Sequence, residues 1–392
     1  MEQPLYHEVI NRLRYVVKLC KSLYGLKQAG RKWYDTLSRS LVAVGFQKSA
    51  ANPAVFFIYT GSDVVILFIH VDDTTMTGSS VDLIKRYEEQ IGEIFDITHL
   101  RTVSWLLGLA ITRDRTKQTL SISQEAYISS IVHCFNLEDA KPLSTPIDSN
   151  THLLKDDCPI TIEDKQEMKN VPYHEIVGTL NWLAVGSRPD TAFVIGQLAQ
   201  FLENFGRVHW EAAKRVVRYL KTTKDLKLTY GGVSKHGFEG YSNADGAMQD
   251  HRQVISGFAV LIDGGAILWL SKKQELVTLL TMEAEYVSAT HAAKELIWFW
   301  RLINEVFRPL SHPIILHLDN QSAIALANSK GQFHTCTKHI DIHYHFIKFA
   351  VQNKTITLLY CPTENMIADI PTKSVLLIKH KYLTHSLGLV LV

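Results

Sequence analysis

The pattern of elements along the chain predicts a multidomain protein of mixed α/β and α+β class. Helical and strand-like segments mix at the start, helical spacing dominates the middle, and antiparallel strands lead into alternating helix and strand at the end. At 392 residues the chain has room for two or three domains. The boundaries fall at 1–115, 116–236 and 237–392.

Within the first part, Lys27 to Val44 carries helical apolar spacing, with Trp33, Leu37 and Leu41 on one face. Ala54 to Tyr59 and Val64 to Val71 read as β-strands, and Thr60-Gly61-Ser62-Asp63 between them has turn chemistry, which predicts a hairpin. Asp82 to Phe95 reads as a helix. Trp105 to Arg113 and Thr119 to Ile122 read as a second hairpin.

A helix is expected from Gln124 to Asn136. Lys141 to Asn170 is a polar, Pro-bearing connector without periodicity. Tyr173 to Val185, Asp190 to Phe205 and His209 to Thr222 read as helices. Gly231-Gly232 and Gly237 mark the next boundary.

The last part opens with Phe238 to Ser242, Ile255 to Ile262 and Ala266 to Ser271, read as a three-stranded meander. Met282 to Phe307 is a long helix, Ile314 to Leu318 a buried strand, and Asn320 to Ala327 a helix. Ile340 to Gln352 is helical and Ile356 to Tyr360 is a strand. The sum is an α/β domain with a mixed sheet.

Composition narrows the class. Hydrophobic residues are 46% and charged residues 20%, a globular balance that excludes a disordered chain or a collagen. Lys plus Arg number 41 against 39 Asp plus Glu, so any nucleic-acid binding must come from a local patch. Cys20, Cys134, Cys158, Cys336 and Cys361 are odd in number and lack a CxxC, which argues against a disulfide framework and for a reducing compartment. Apolar stretches such as Val64 to Ile69 fall far short of the ~20 residues that span a bilayer. Met1-Glu2-Gln3-Pro4 does not open a signal segment. The expectation is a soluble, intracellular chain with no membrane partner.

Two sets of acids can carry chemistry. His70-Val71-Asp72-Asp73 ends an apolar strand. Successive strand side chains point to opposite faces, so Asp72 and Asp73 cannot both serve one metal from a regular strand. A paired Asp also commonly starts a turn. The second set is Asp245, Glu283, Glu285, Asp319 and Asp369. Asp319 follows a buried strand, Glu285 lies in the first turns of a helix, and Asp369 opens a helical stretch. Acids at such ends can converge on Mg²⁺, and a pair of ions would stabilise both oxygens of a phosphodiester displacement. They can equally be helix caps that complement the dipole.

The residues around these acids decide between the readings. Ser22-Leu23-Tyr24-Gly25-Leu26-Lys27-Gln28-Ala29-Gly30-Arg31-Lys32-Trp33-Tyr34 resembles the SLYGLKQA-x-R-x-WY signature of copia-type LTR retrotransposon reverse transcriptases. Val71-Asp72-Asp73 resembles their catalytic VDD. Trp105-Leu106-Leu107-Gly108-Leu109 and Thr145-Pro146 are similar to later landmarks. Glu283-Ala284-Glu285-Tyr286, Asp319-Asn320-Gln321-Ser322-Ala323, Thr337-Lys338-His339-Ile340-Asp341 and Ala368-Asp369-Ile370 resemble the family's ribonuclease H domain.

The resemblance implies a partial reverse-transcriptase palm, a helical thumb and connection, and a ribonuclease H-like domain with a mixed five-stranded sheet. It implies RNA-directed DNA synthesis and hydrolysis of RNA in RNA–DNA hybrids, with two Mg²⁺ ions. Partners would be hybrid, RNA template, DNA primer and other parts of the same polyprotein, in a cytoplasmic virus-like particle or the nucleus. Asp72 would be a metal ligand and Asp73 its neighbour. Glu285, Asp319 and Asp369 would be ribonuclease H metal ligands. Gln28 and Gly30, with Arg31 in the adjoining basic patch, would face nucleic acid.

Two departures weigh against activity. The polymerase needs an Asp that in the family lies just upstream of a segment resembling Met1-Glu2-Gln3-Pro4, so the expectation is an inactive, truncated palm. Tyr241-Ser242-Asn243-Ala244-Asp245 stands where the family has Tyr-Ser-Asp-Ala-Asp-Trp. Asn243 therefore offers one neutral oxygen at the position of the leading carboxylate. Asp245, two residues on, is too far along the strand to replace it. Pro371 after Asp369 is tolerated near a helix start.

Other features have two readings. His334, His339, His343 and His345 cluster, with His339 and His343 at the i, i+4 spacing that can bind zinc; without a matching Cys pair or Glu, a structural zinc is the minor reading. Lys214, Arg218 and Lys221 share a helix face; they are a solvated face or, by position beside a hybrid, phosphate contacts. Trp182, Trp210, Trp269, Trp298 and Trp300 read as core. The main reading is a defective retrotransposon reverse transcriptase and ribonuclease H. The alternatives are a non-catalytic nucleic-acid-binding remnant and a decayed reading frame.

Overall fold

A computed structural model describes residues 16, 18–100, 102–232, 237–245, 254–275, 281–307, 313–329 and 341–392. His334, His339 and Cys336 lie outside them. The chain forms two compact units, one of Met1–Arg101 with Arg301–Leu310 and one of Thr102–Trp300 with Ser311–Val392. Mixed α/β architecture with several sheets is what the sequence predicted.

The first unit begins with helix α1 (Ala29–Val44), which Gly45 ends in left-handed conformation. Strands β1 (Gln47–Lys48), β2 (Val55–Thr60), β3 (Asp63–His70) and β4 (Asp73–Gly78) pair antiparallel in chain order. Helix α2 (Val81–Gly92) follows, with Ser80 accepting from the Leu83 amide. Leu37, Leu41, Tyr87 and Ile91 of the helices pack on Phe56, Val65 and Leu67. Val55, Phe57 and Ile66 face the other way and meet Val306. Both sheet faces are therefore covered, which explains why β2 and β3 read as unbroken apolar runs. Ser49 Oγ and the Ala50 amide each donate to Glu305 at 2.7 Å.

In the second unit, β5 (Trp105–Leu106), β6 (Leu109–Asp114) and β7 (Thr119–Ser123) form an antiparallel meander. Helix α3 (Glu125–Cys134) leads into the polar connector, which holds a short helix, α4 (Ile162–Met168), that periodicity did not reveal. Helices α5 (Tyr173–Gly186), α6 (Ala192–Ala199) and α7 (Arg207–Thr222) then pack through Ile176, Leu180, Leu198, Ala213 and Val217. The segment expected as one helix from Asp190 to Phe205 begins instead with a 3-10 turn at Pro189–Thr191. Strand β8 (Lys227–Gly231) joins β7, and β14 (Leu389–Val390) joins β8.

The remaining strands are β9 (Glu239–Asp245), β10 (Ile255–Ile262), β11 (Gly265–Lys273), β12 (Ile314–Leu318) and β13 (Ile356–Tyr360). Among the described residues they form a five-stranded sheet of order β11-β10-β9-β12-β13. The first three are antiparallel, while β12 is parallel to both β9 and β13. Helices α8 (Thr281–Val306), α9 (Gln321–Asn328), α10 (Asp341–Gln352) and α11 (Leu377–Ser386) complete the chain. Leu296, Ala292 and Tyr286 of α8 pack against Val260, Leu316 and Leu318 of the sheet.

A polar core ties the helices together. Arg188 is 1% exposed and forks onto Asp190, Nε to Oδ1 at 3.0 Å and a terminal nitrogen to Oδ2 at 2.7 Å. Tyr219 donates to the same carboxylate at 2.5 Å. Burial pushes the Asp190 pKa up, but Arg188 outweighs it and holds the carboxyl below its usual range.

Two expectations change. Trp182 is 44% exposed rather than core, because α5 turns that face outward. Trp269, by contrast, packs partly buried against the core and donates to the Ala184 carbonyl at 2.7 Å. Asp369 does not open a helix; it ends the 3-10 turn Ile367–Asp369. Its carbonyl accepts from the Thr372 and Lys373 amides, and Pro371 has no N–H to contribute. Among the described residues no helix is long and apolar enough to cross a membrane.

Candidate active site

In the first unit, Val71 and Asp72 form the tight turn between β3 and β4, where His70 pairs with Asp73. Val71 is left-handed at φ 57°, a strained position for a β-branched residue. The turn presents Asp72 and Asp73 to solvent. Gln28, Gly30 and Arg31 lie exposed where α1 begins.

The second unit brings together Asn243, Glu285, Asp319 and Asp369. Asn243 comes from β9, Glu285 from the start of α8, Asp319 from the residue after β12, and Asp369 from its 3-10 turn. Asn243 and Asp369 are directly bonded: the Asn243 amide nitrogen donates to Asp369 Oδ1. The Asn243 oxygen is turned to the Ala244 amide at 2.7 Å. Glycine is required beside it. Gly257 pairs with Asn243 across the sheet, and a Cβ there would stand 2.5 Å from Thr372 Cγ2.

The carboxylates press on one another. Burial, then the Asp319 charge, push the Glu285 pKa up to about 9, and its Oε2 is buried without a hydrogen-bond partner. Burial, then Asp369, raise the Asp319 pKa as well. Asp369 is fully buried and holds two cations. Lys373 Nζ is 2.9 Å from its Oδ1, and Lys379 Nζ donates to its Oδ2. Burial pulls the Lys373 ammonium down, but Asp369, aided by Asp245 and Asp319, holds its pKa above the usual value. Two residues before Asp319, His317 pairs with Glu239 at 3.0 Å and stacks on Tyr241.

The sequence reading named the four central residues and missed the lysines. The i, i+4 spacing of Asp369 and Lys373 was the available signal; nothing local marked Lys379.

A divalent ion does not fit this donor set. The Asn243 side chain turns an N–H, not an oxygen, toward Asp369, and both Asp369 oxygens already accept from donors. Among the described residues no group of three or more His, Cys, Asp or Glu is placed to hold a metal.

The basic helix face has internal partners. Arg218 donates to the Lys141 carbonyl at 2.9 Å, and Lys221 donates to the carbonyls of Glu138 and, at 3.1 Å, Ala140. Lys214 pairs with Glu211 at 2.7 Å.

Residues 1–149 match the reverse transcriptase (RNA-dependent DNA polymerase) family. The chain is 39% identical over 377 residues to the retrovirus-related Pol polyprotein from transposon TNT 1-94 of Nicotiana tabacum, covering 96% of this chain and 28% of that one. It is 32% identical over 392 residues to the corresponding polyprotein from transposon RE2 of Arabidopsis thaliana, covering all of this chain and 26% of that one. A solved LC11 ribonuclease H1 in complex with RNA/DNA hybrid aligns with 34% of this chain and 93% of its own at 12% identity and a TM-score of 0.26. The chain thus carries a reverse transcriptase region. It belongs to the Pol polyproteins of copia-type retrotransposons. It spans about a quarter of the length of those relatives.

Proposed function

We propose that this chain is a retrotransposon-derived protein that binds RNA–DNA hybrid and cleaves its RNA strand weakly or not at all. In this reading residues 1–115 belong to a palm, 116–236 are a thumb and connection, and 237–392 a ribonuclease H-like domain. The five-stranded mixed sheet, with three antiparallel strands followed by two parallel ones, supports the last assignment. Glu285, Asp319 and Asp369 are the ancestral ligands of a two-Mg²⁺ site. Asp72 and Asp73 are the ancestral polymerase pair. Gln28, Gly30, Arg31 and Lys214 contact nucleic acid, and Arg218 and Lys221 contribute positive potential beside their carbonyl bonds. A cytoplasmic virus-like particle or the nucleus is the setting.

One observation carries the reading: Asn243 stands against Asp369 where a carboxylate would be needed. The test is Mg²⁺-dependent hybrid cleavage by wild type and Asn243→Asp, with hybrid binding measured alongside. Cutting by the variant alone supports the reading. Efficient cutting by wild type overturns it. Binding by both without cutting favours the non-catalytic remnant, a reading that the lysines on Asp369 also support.

A further inference from the structure

Both oxygens of Asp369 have hydrogen-bearing partners. Its Oδ1 accepts from the Asn243 amide and from Lys373 at 2.9 Å, and its Oδ2 accepts from Lys379. An ammonium is a donor only and cannot share a coordination position with a metal ion. A divalent ion at the same carboxylate would also be repelled by both ammonium groups. Lys379 is not a stray side chain, because it also donates to the Thr363 carbonyl at 2.7 Å. One ammonium thus joins α11, the Thr363 turn and the acid cluster. Lys373 reaches the same carboxylate from four residues along the turn.

We propose that Lys373 and Lys379 are the resident cations of this cluster: they stand in for a divalent ion at Asp369 and assemble the site without metal. The proposal rests on the descent of the cluster from a metal-dependent ribonuclease site.

The experiment is thermal melting of the full chain in EDTA and in Mg²⁺. A specific ion present at a hundredfold excess over its dissociation constant would raise the melting temperature by about 5 °C or more. The expected result is one melting temperature in both buffers for wild type. Lys379→Met should melt several degrees lower in EDTA and recover part of the loss with Mg²⁺. A Mg²⁺ shift of that size in wild type overturns the proposal, as does a Lys379→Met protein that melts like wild type in EDTA. Titration of wild type with Mn²⁺, followed by the free-ion electron paramagnetic resonance signal, needs no variant to fold. No saturable loss of signal is expected, and a saturable loss overturns the proposal. Hybrid binding in EDTA, read by fluorescence anisotropy, separates this from the functional reading: a chain that binds no hybrid in either buffer sinks that reading and leaves the melting result standing.

Discussion

The indole N–H of Trp33 donates to the carbonyl oxygen of Val71 at 2.7 Å, so α1 holds the turn that carries Asp72 from behind. The Trp33 ring also meets Phe95 edge-on with centroids 5.5 Å apart. Trp33→Phe keeps most of the packing and loses the bond. It should lower stability by about 1 kcal/mol, measured by urea denaturation.

Val71 itself is held against its preference. Glycine adopts its left-handed backbone without the steric cost, which for other residues is of order 1–3 kcal/mol. Val71→Gly should therefore raise the denaturation midpoint, despite the greater freedom glycine has in the unfolded chain. An unchanged or lower midpoint would show that the turn is not strained.

Arg188 and Asp190 should be far more costly to separate. Removing one member of a buried pair leaves the other charge uncompensated, at about 3–5 kcal/mol. Arg188→Met should lose that much in denaturant melts. The double variant Arg188→Met with Asp190→Leu should lose less than the sum of the two single variants.

His209 makes stability depend on pH. Its Nδ1 accepts from the Gly206 amide at 2.9 Å, so the bonded ring is neutral. Burial lowers its pKa below the usual 6.5. Above that value both folded and unfolded chains carry a neutral ring. As pH falls through it, the unfolded chain takes a proton that the folded chain refuses, and stability drops. His209→Gln can keep the bond to Gly206 and should flatten the decline between about pH 7 and 5, followed by melting temperature.

Lys221 separates two uses of a basic residue. If its carbonyl bonds matter, Lys221→Met should lower stability by about 1 kcal/mol or more even without nucleic acid. A phosphate contact alone would leave the melt unchanged and reduce the salt dependence of hybrid binding.

What the sequence made legible follows a physical line. Ile314–Leu318 and Ile356–Tyr360 read residue for residue, because short β-branched runs between turn residues admit few alternatives. Strand β4 did not, since Asp73-Thr74-Thr75-Met76-Thr77-Gly78 lacks alternation and forms only by pairing with β3. Strand β14 is two residues long and depends on β8. The acids were found through the words around them, not their spacing. Lys379 stayed hidden because its partner is ten residues away across an irregular turn. Arg218 and Lys221 looked like a phosphate face because a basic run reads the same whether it faces solvent or carbonyls.

Strand β14 sets a timetable for synthesis. The sheet begun by β5 and β6 is finished only when Leu389–Val390 pairs with Lys227–Leu228. The Leu387 carbonyl also accepts from the Ala266 amide at 2.9 Å. A ribosome has therefore made the helices and the mixed sheet of this unit before the last edge of the smaller sheet can close. Until then β8 leaves the tunnel with one side unpaired, open to another chain. A stop codon anywhere before Leu389 would fix the unit in that state, and the product would be lost to aggregation or proteolysis rather than to any fault in its acids.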